Sequence, residues 1–280
     1  MSVMPSSQPL VSRPRHIAVI GNCQAQVIAR ALRDRLSPNT AVSYFFVDAA
    51  PHDTESARRE LTACDVALVQ DIRNFEDSPL REFIPDRAAI VRFPVLRFAS
   101  LWPFDSLNGL LDKGAQTLAG PDQDDLYFDG LLGRLRRDIP NKDERFAAYR
   151  DLRVDGLFKV ARVHAIEERR LTRIDEDFDA GIGALILAEF RNRRLFHTTN
   201  RPTGELLAML LEALLRRLGV AARAASAEDL ELLGYFQTPV HPLVARDLGV
   251  AWVDSTTRYR SGGHSTTWEQ FARDYIARYG

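Results

Sequence analysis

A cysteine at position 23 sits where a thiol can do acyl chemistry. It follows the run His16-Ile17-Ala18-Val19-Ile20-Gly21 and is flanked by Asn22 and Gln24. The run reads as a buried strand that breaks at Gly21 and enters a helix carrying Val27, Ile28, Ala31, Leu32 and Leu36. A strand–Gly–helix junction aims side chains and free backbone N–H groups at the carboxyl edge of a sheet, where α/β proteins commonly bind ligands. The helix dipole and the orphan N–H groups favour a thiolate there. The amides of Asn22 and Gln24 suit hydrogen bonding to an oxyanion or a carbonyl oxygen. The plainer alternative is a small hydrophobe at a tight turn. The junction lacks the second and third glycines of a Gly-x-Gly-x-x-Gly loop, which argues against a nicotinamide dinucleotide site.

A thiol nucleophile wants a base. The six histidines are His16, His52, His164, His197, His241 and His264. His16 begins a strand, His52 lies in a polar loop, and His164 lies on an apolar helix face. None of the three attracts a role. His197 belongs to the polar turn Leu195-Phe196-His197-Thr198-Thr199-Asn200-Arg201-Pro202-Thr203, where Asn200 or Thr203 could cap the next helix. His241 stands in the stiff turn Pro239-Val240-His241-Pro242, and His264 in the loop Ser261-Gly262-Gly263-His264-Ser265. Asp254, at the end of an expected strand Val250–Val253, is placed to orient a histidine. Cys64 has no polar company and reads as structural. No His/Cys cluster has metal-ligand spacing, so no metal site is expected. Arg92, Arg97, Arg201, Arg258 and Arg260 fall in loops or at strand ends, where guanidinium forks suit phosphate.

These residues need a scaffold. Strands are expected at Ile17–Ile20, Val42–Val47, Val66–Gln70 and Ala89–Phe93, with helices at Cys23–Leu36 and around Thr54–Thr62. Continuous apolar strands separated by helices indicate an α/β fold with a parallel sheet covered on both faces, Rossmann-like or flavodoxin-like. The Pro- and aromatic-rich stretch from Phe93 to Phe104 suits a rigid wall, packed or lining a pocket. From about Asp124 the pattern turns helical. Leu157, Val160, Ala161, His164, Leu171 and Ile174 fit one face; Ala180, Leu185, Ile186 and Phe190 fit another. Leu206, Leu207, Leu210, Leu211, Leu214, Leu215 and Leu218 form a third, starting near Pro202 and Thr203 and ended by Gly219. A last helix begins near Trp268, with Thr266 and Glu269 at capping-box spacing. The expected organisation is a disordered tail over 1–14 and a single domain over 15–280, sheet-rich over 15–123 and mainly helical over 124–280.

Composition excludes other classes. The 280 residues carry a net charge of -1, with 45% hydrophobic and 27% charged residues. That is an ordinary globular balance, with no global basic field for nucleic acid. Local clusters such as Arg134, Arg136 and Arg137, Arg169, Arg170 and Arg173, or Arg191, Arg193 and Arg194 read as solvated faces. Two cysteines make no disulfide framework. No segment approaches the roughly 20 apolar residues of a membrane span, and residues 1–15 do not read as a secretory signal. A cytoplasmic protein is expected.

Two resemblances add to this. Gly21-Asn22-Cys23 is similar to the place where GDSL hydrolases put their Gly-Asp-Ser nucleophile. That resemblance makes the late His264 the first choice for a base, ahead of His197 and His241, and a carbohydrate esterase using Cys23 the alternative activity. An ordered set of segments resembles the WcbI-like polysaccharide biosynthesis family. The set is Gly21-Asn22-Cys23-Gln24, Arg92-Phe93-Pro94-Val95-Leu96, Leu101-Trp102-Pro103-Phe104, Leu195 through Thr203, Val240-His241-Pro242-Leu243-Val244-Ala245 and the aromatic terminal helix. This resemblance implies a bacterial capsule or exopolysaccharide enzyme that binds coenzyme A and transfers acetyl from acetyl-coenzyme A to a sugar hydroxyl. It implies a sugar or polysaccharide acceptor and a place peripheral to capsule assembly machinery. Cys23, Gln24 and Asn200 carry over as site residues. The family pattern has a histidine where this chain has Arg201, which suits a phosphate contact instead. A non-catalytic sugar- or nucleotide-binding protein is the reading from outside enzymology.

Overall fold

The computed structural model describes residues 14–46, 54–71, 75–106, 127–152, 160–178, 180–261 and 263–279. The expected tail over 1–14 lies almost wholly outside them, as do Val47, His52, Leu157 and Gly262. The chain divides into two units interleaved along the sequence: residues 1–96, 172–184 and 204–232 in the first, and 97–171, 185–203 and 233–280 in the second.

The first unit holds the parallel sheet. Strand β1 (His16–Gly21) is apolar on both faces and is followed by helix α1 (Cys23–Arg35). Then come β2 (Ala41–Phe46), α2 (Thr54–Thr62), β3 (Val66–Gln70), the single turn α3 (Pro79–Glu82) and β4 (Ala89–Phe93). The strand order is β2-β1-β3-β4, and every pairing is parallel. The chain leaves β1 toward one edge through α1 and crosses to the other through α2. The topological switch point therefore falls between the carboxyl ends of β1 and β3. One face of the sheet packs Ala18, Ile20, Ala67 and Val69 against Ala57 and Leu61 of α2. Ile17 and Val19 alternate to the opposite face, and α1 lies along β1 and β2.

In the second unit, α4 (Gly130–Asp138), α5 (Lys142–Asp151) and most of α6 (Val160–Asp177) come first. The buried face of α6 is Val160, Val163, His164, Glu167, Leu171 and Ile174; Ala161, expected on it, is exposed. Helix α7 (Gly183–Glu189) bridges the two units in sequence, and the short strands β5 (Phe196–Thr198) and β6 (Arg201–Pro202) form a hairpin. The leucine-rich α8 (Gly204–Leu218) returns to the first unit, packs on α1 and ends at Gly219 with φ +66°. The second unit closes with α9 (Pro242–Leu248), the hairpin of β7 (Tyr259–Ser261) and β8 (His264–Thr266), and α10 (Trp268–Tyr279).

Two local expectations are corrected. Val250–Val253 is not a strand. Gly249 takes φ +68° and the Val250 N–H closes back on the Ala245 carbonyl at 2.8 Å, so these residues finish the α9 terminus. The capping box of α10 is made by Thr267 and Gln270, not by Thr266 and Glu269. The Gln270 N–H donates to Thr267 Oγ1 at 3.3 Å, and the Thr267 N–H donates to Gln270 Oε1 at 3.0 Å.

Candidate functional site

Cys23 is the first residue of α1, and its side chain is exposed. Asn22 caps the helix: its Oδ1 accepts from the Gln24 N–H at 2.9 Å, and its carbonyl accepts from the Gln26 N–H at 3.1 Å. The amide N–H groups of Cys23 and Ala25 find no acceptor among the described residues. An exposed thiol and unfilled donors thus meet at the carboxyl end of β1, beside the switch point.

Three neutral side chains hold this corner. The Gln24 Nε2 donates to the Leu96 carbonyl at 2.8 Å, and its Oε1 accepts from the Leu96 N–H at 3.0 Å. Gln70, the last residue of β3, donates from Nε2 to Gln24 Oε1 at 3.1 Å and accepts the Asn22 N–H on its own Oε1 at 2.9 Å. The Tyr44 hydroxyl donates to the carbonyls of Asn22 and Gly21 at 3.1 and 3.3 Å. Burial, with the neighbouring Cys23 second, pushes Tyr44 up to about 12, so its hydroxyl keeps its proton and remains a donor. Gly21 is required by close approach: a Cβ there would lie 2.6 Å from both Ala25 Cβ and Gln70 Oε1.

This placement corrects the oxyanion role expected of Gln24. Both ends of its amide are committed to Leu96 and Gln70, and the residue is 1% exposed. It positions the Leu96 segment against the start of α1. Asn22 and Cys23 keep their expected placement beside it. Gln70 and Tyr44 were missed, because one glutamine ending an apolar strand and one tyrosine within another carry no local signal.

Arg92 lies on β4 with its side chain half exposed, facing the Asp71 carboxylate at 3.2 Å. In the first unit the described histidine is His16, whose Nε2 shares a hydrogen bond with Ser43 Oγ at 2.7 Å at the amino end of β1, away from Cys23. The remaining expected residues belong to the second unit. His197 is buried in β5, and Asn200 turns the β5–β6 hairpin with Oδ1 accepting from Thr198 Oγ1 at 3.2 Å. The Arg201 guanidinium stacks 4.4 Å from the ring centre of the exposed Tyr235, and its Nη1 is buried without a partner. Arg258 is exposed, with Nη1 3.5 Å from Gln270 Oε1. His264 is exposed on β8. Asp254 does not orient a histidine; its carboxylate accepts from Thr256 and Thr257.

A second polar cluster, unannounced by the sequence, surrounds Asp129. This buried carboxyl caps α4 through the Leu132 N–H at 2.8 Å and accepts the hydroxyls of Tyr149 at 2.6 Å and Tyr127 at 2.8 Å. Burial raises Asp129 to about 6, although its hydrogen bonds pull the other way. The Tyr149 carbonyl takes the Nε2–H of His241, while His241 Nδ1 accepts from the Leu243 N–H at 3.1 Å as the cap of α9. Burial lowers His241 to about 4, so the ring is neutral and structural. His164 is likewise lowered by burial and bonds Ser100. Among the described residues no group of three His, Cys, Asp or Glu side chains could hold a metal ion, and no helix is long and apolar enough to cross a membrane.

Comparison with known proteins places these features in context. The family model described as "Polysaccharide biosynthesis enzyme WcbI" matches residues 16–223. No curated protein sequence matches the chain. A solved structure of WcbI superposes with a TM-score of 0.63 at 16% identity, covering 95% of this chain and 91% of that one. It is described as the native protein without a disulfide bond between coenzyme A and one of its cysteines. At that identity the likeness shows the shared fold, an α/β architecture around a parallel sheet.

Proposed function

The chain belongs to the WcbI family of polysaccharide biosynthesis enzymes, and on that premise we propose that it is a coenzyme A-dependent O-acyltransferase. In this reading it moves an acetyl group from acetyl-coenzyme A to a sugar hydroxyl in capsular or exopolysaccharide assembly. The observation that carries the reading is the exposed Cys23 thiol at the head of α1, beside unfilled N–H groups at the switch point of the sheet. The description of the WcbI structure, which names coenzyme A and a cysteine as the two ends of a disulfide that structure lacks, supports the same choice of ligand.

The coenzyme supplies the acyl group, activated as a thioester. Cys23 Sγ attacks the acyl carbon, the bond to the coenzyme sulfur breaks, and the thiol proton leaves with the departing coenzyme. The N–H groups of Cys23 and Ala25 are the donors available to the tetrahedral oxyanion. The sugar oxygen then attacks the acyl-cysteine, the carbon–sulfur bond breaks, and the hydroxyl proton returns to Cys23. Among the histidine candidates for a base, His264 is exposed, whereas His164, His197 and His241 are buried. Arg201 is the arm assigned to a phosphate, because its buried Nη1 lacks a partner and its guanidinium lies over the Tyr235 ring. Arg92 and Arg258 are the further phosphate candidates.

The test is intact-mass analysis after mixing with acetyl-coenzyme A, run with calorimetric titration of coenzyme A. An acetyl adduct on the wild type, lost in Cys23→Ala, is expected, together with weaker coenzyme binding by Arg201→Ala. Coenzyme binding that is absent even at millimolar concentration sinks the transferase reading. Release of acetate from an acetylated sugar without coenzyme would move the assignment to a Cys23 esterase.

A further inference from the structure

The β7–β8 hairpin and α10 bound a cleft of about 780 Å³ in the second unit. Its wall is an aromatic ladder. Phe271, Tyr275 and Tyr279 recur every fourth residue along α10, one helical turn apart, with ring centres 6.1 and 4.6 Å apart. Tyr127 stands edge-on to Tyr275 at 6.3 Å. The Tyr275 hydroxyl is fixed by the Asp129 N–H at 3.0 Å, so the ladder is held from behind. Exposed polar groups rim it, among them the His264 imidazole and the Asp274 carboxylate. Two arginines also line it: Arg273 is engaged by Glu269 and by the Phe146 ring, and the Arg278 guanidinium lies 4.9 Å from the Tyr279 ring centre.

We propose that this cleft is a saccharide-binding site, in which successive pyranose rings lie along the Phe271–Tyr275–Tyr279 ladder. The apolar C–H face of a sugar matches an aromatic face, while its rim of hydroxyls wants acceptors such as a carboxylate and an imidazole. A cleft that combines an apolar wall with a few convergent polar groups is the usual form of a small-molecule site. The choice of a saccharide rests on the chain being a polysaccharide biosynthesis enzyme, not on the acyl-transfer chemistry of Cys23.

The experiment is titration of the full chain with gluco-, galacto- and manno-configured oligosaccharides of increasing length, read by backbone amide chemical shifts. Expected are shifts confined to α10, β8 and their neighbours, with affinity rising from monosaccharide to trisaccharide. Tyr279→Ala should weaken binding roughly 2- to 10-fold, and Asp274→Asn should also weaken it, both with unchanged melting temperature. Cys23→Ala should bind the same sugars equally well, so a failed acyl transfer leaves this site standing. Three outcomes overturn it: no sugar bound at millimolar concentration, binding unchanged in both cleft variants, or shifts produced only by a nucleoside diphosphate.

Discussion

The corner around Cys23 and the cluster around Asp129 are both dense polar networks, yet they are built from opposite materials. Asn22, Gln24, Gln70 and Tyr44 hold the thiol's surroundings with amides and a phenol pushed up to about 12. None of these groups gains or loses a proton over the working range, so the geometry at the head of α1 is the same at pH 5 and pH 9. Asp129 and His241, linked through Tyr149, are titratable groups that burial moves in opposite directions, Asp129 up to about 6 and His241 down to about 4. Strongly perturbed ionisation often marks a functional site. Here it marks buried caps of α4 and α9, while the exposed nucleophile candidate sits in a frame whose groups keep their protonation across that range.

The sharpest way to break the comparison is to remove the one group each network frames. Cys23→Ala should lower acyl transfer by about 10³-fold or more, as deletion of a covalent nucleophile does. Because the thiol is exposed, unfolding in urea should shift by no more than about 0.5 kcal/mol. A large loss of stability with activity retained would make Cys23 part of the frame rather than its cargo.

Gln24→Leu is the next largest effect, and it falls on stability. The change strands the Leu96 N–H and carbonyl and leaves Gln70 Nε2 without its acceptor, at roughly 1–3 kcal/mol for each buried group. A total of about 3–5 kcal/mol is expected in urea unfolding, allowing for partial relaxation. A loss under about 1 kcal/mol would show that the Leu96 segment holds its place without the clamp.

Titration then separates the two networks. Asp129 is raised to about 6 from an unfolded value near 3.8, so its contribution is full below pH 3.8 and is lost as pH rises through 6. His241 is lowered to about 4 from 6.5, so its contribution is full above pH 6.5 and is lost as pH falls through 4. Each amounts to roughly 3 kcal/mol at about 1.4 kcal/mol per unit. The two slopes oppose one another in the wild type. Asp129→Asn should expose the histidine slope, with stability falling from pH 6.5 to 4. His241→Asn should expose the opposite slope, with stability rising over the same interval. Flat profiles in both variants would contradict the assignment.

What the sequence made legible follows from how local each signal is. The β1–α1 junction could be read because a continuous apolar run, one glycine and a helical repeat lie side by side. Helix α8 could be read because its leucines recur on one face and Gly219 takes the left-handed conformation its position called for. Gln70 could not, since its role exists only once parallel pairing brings the end of β3 beside the end of β1. The Asp129 cluster joins residues 20 apart in sequence at Tyr149 and a further 92 apart at His241, a distance no window spans. The α10 cap slipped by one because Thr266 and Thr267 are adjacent and both carry a partner three residues on. At the corner itself, sequence reasoning placed Asn22 and Cys23 at the head of α1 but misjudged the surroundings of Gln24, since an amide beside a thiol looks the same whether it faces substrate or a loop backbone.

The smallest effect concerns Arg92, the charged residue nearest in kind to the second network but placed in the first unit. Its ion pair with Asp71 spans 3.2 Å between side chains that are each about half exposed (49% and 49%). Such pairs are screened and contribute roughly 0–1 kcal/mol. Arg92→Ala should therefore change stability by under about 0.5 kcal/mol. It should also weaken coenzyme A binding less than Arg201→Ala does. A guanidinium already facing a carboxylate must give up that attraction to reach a phosphate, whereas the buried Nη1 of Arg201 has no partner to give up. Parallel titrations of the two variants decide the order. If Arg92→Ala proves the more damaging, the Asp71 pair is a resting state that the coenzyme displaces, and the charge at the end of β4 belongs to the binding site rather than to the sheet.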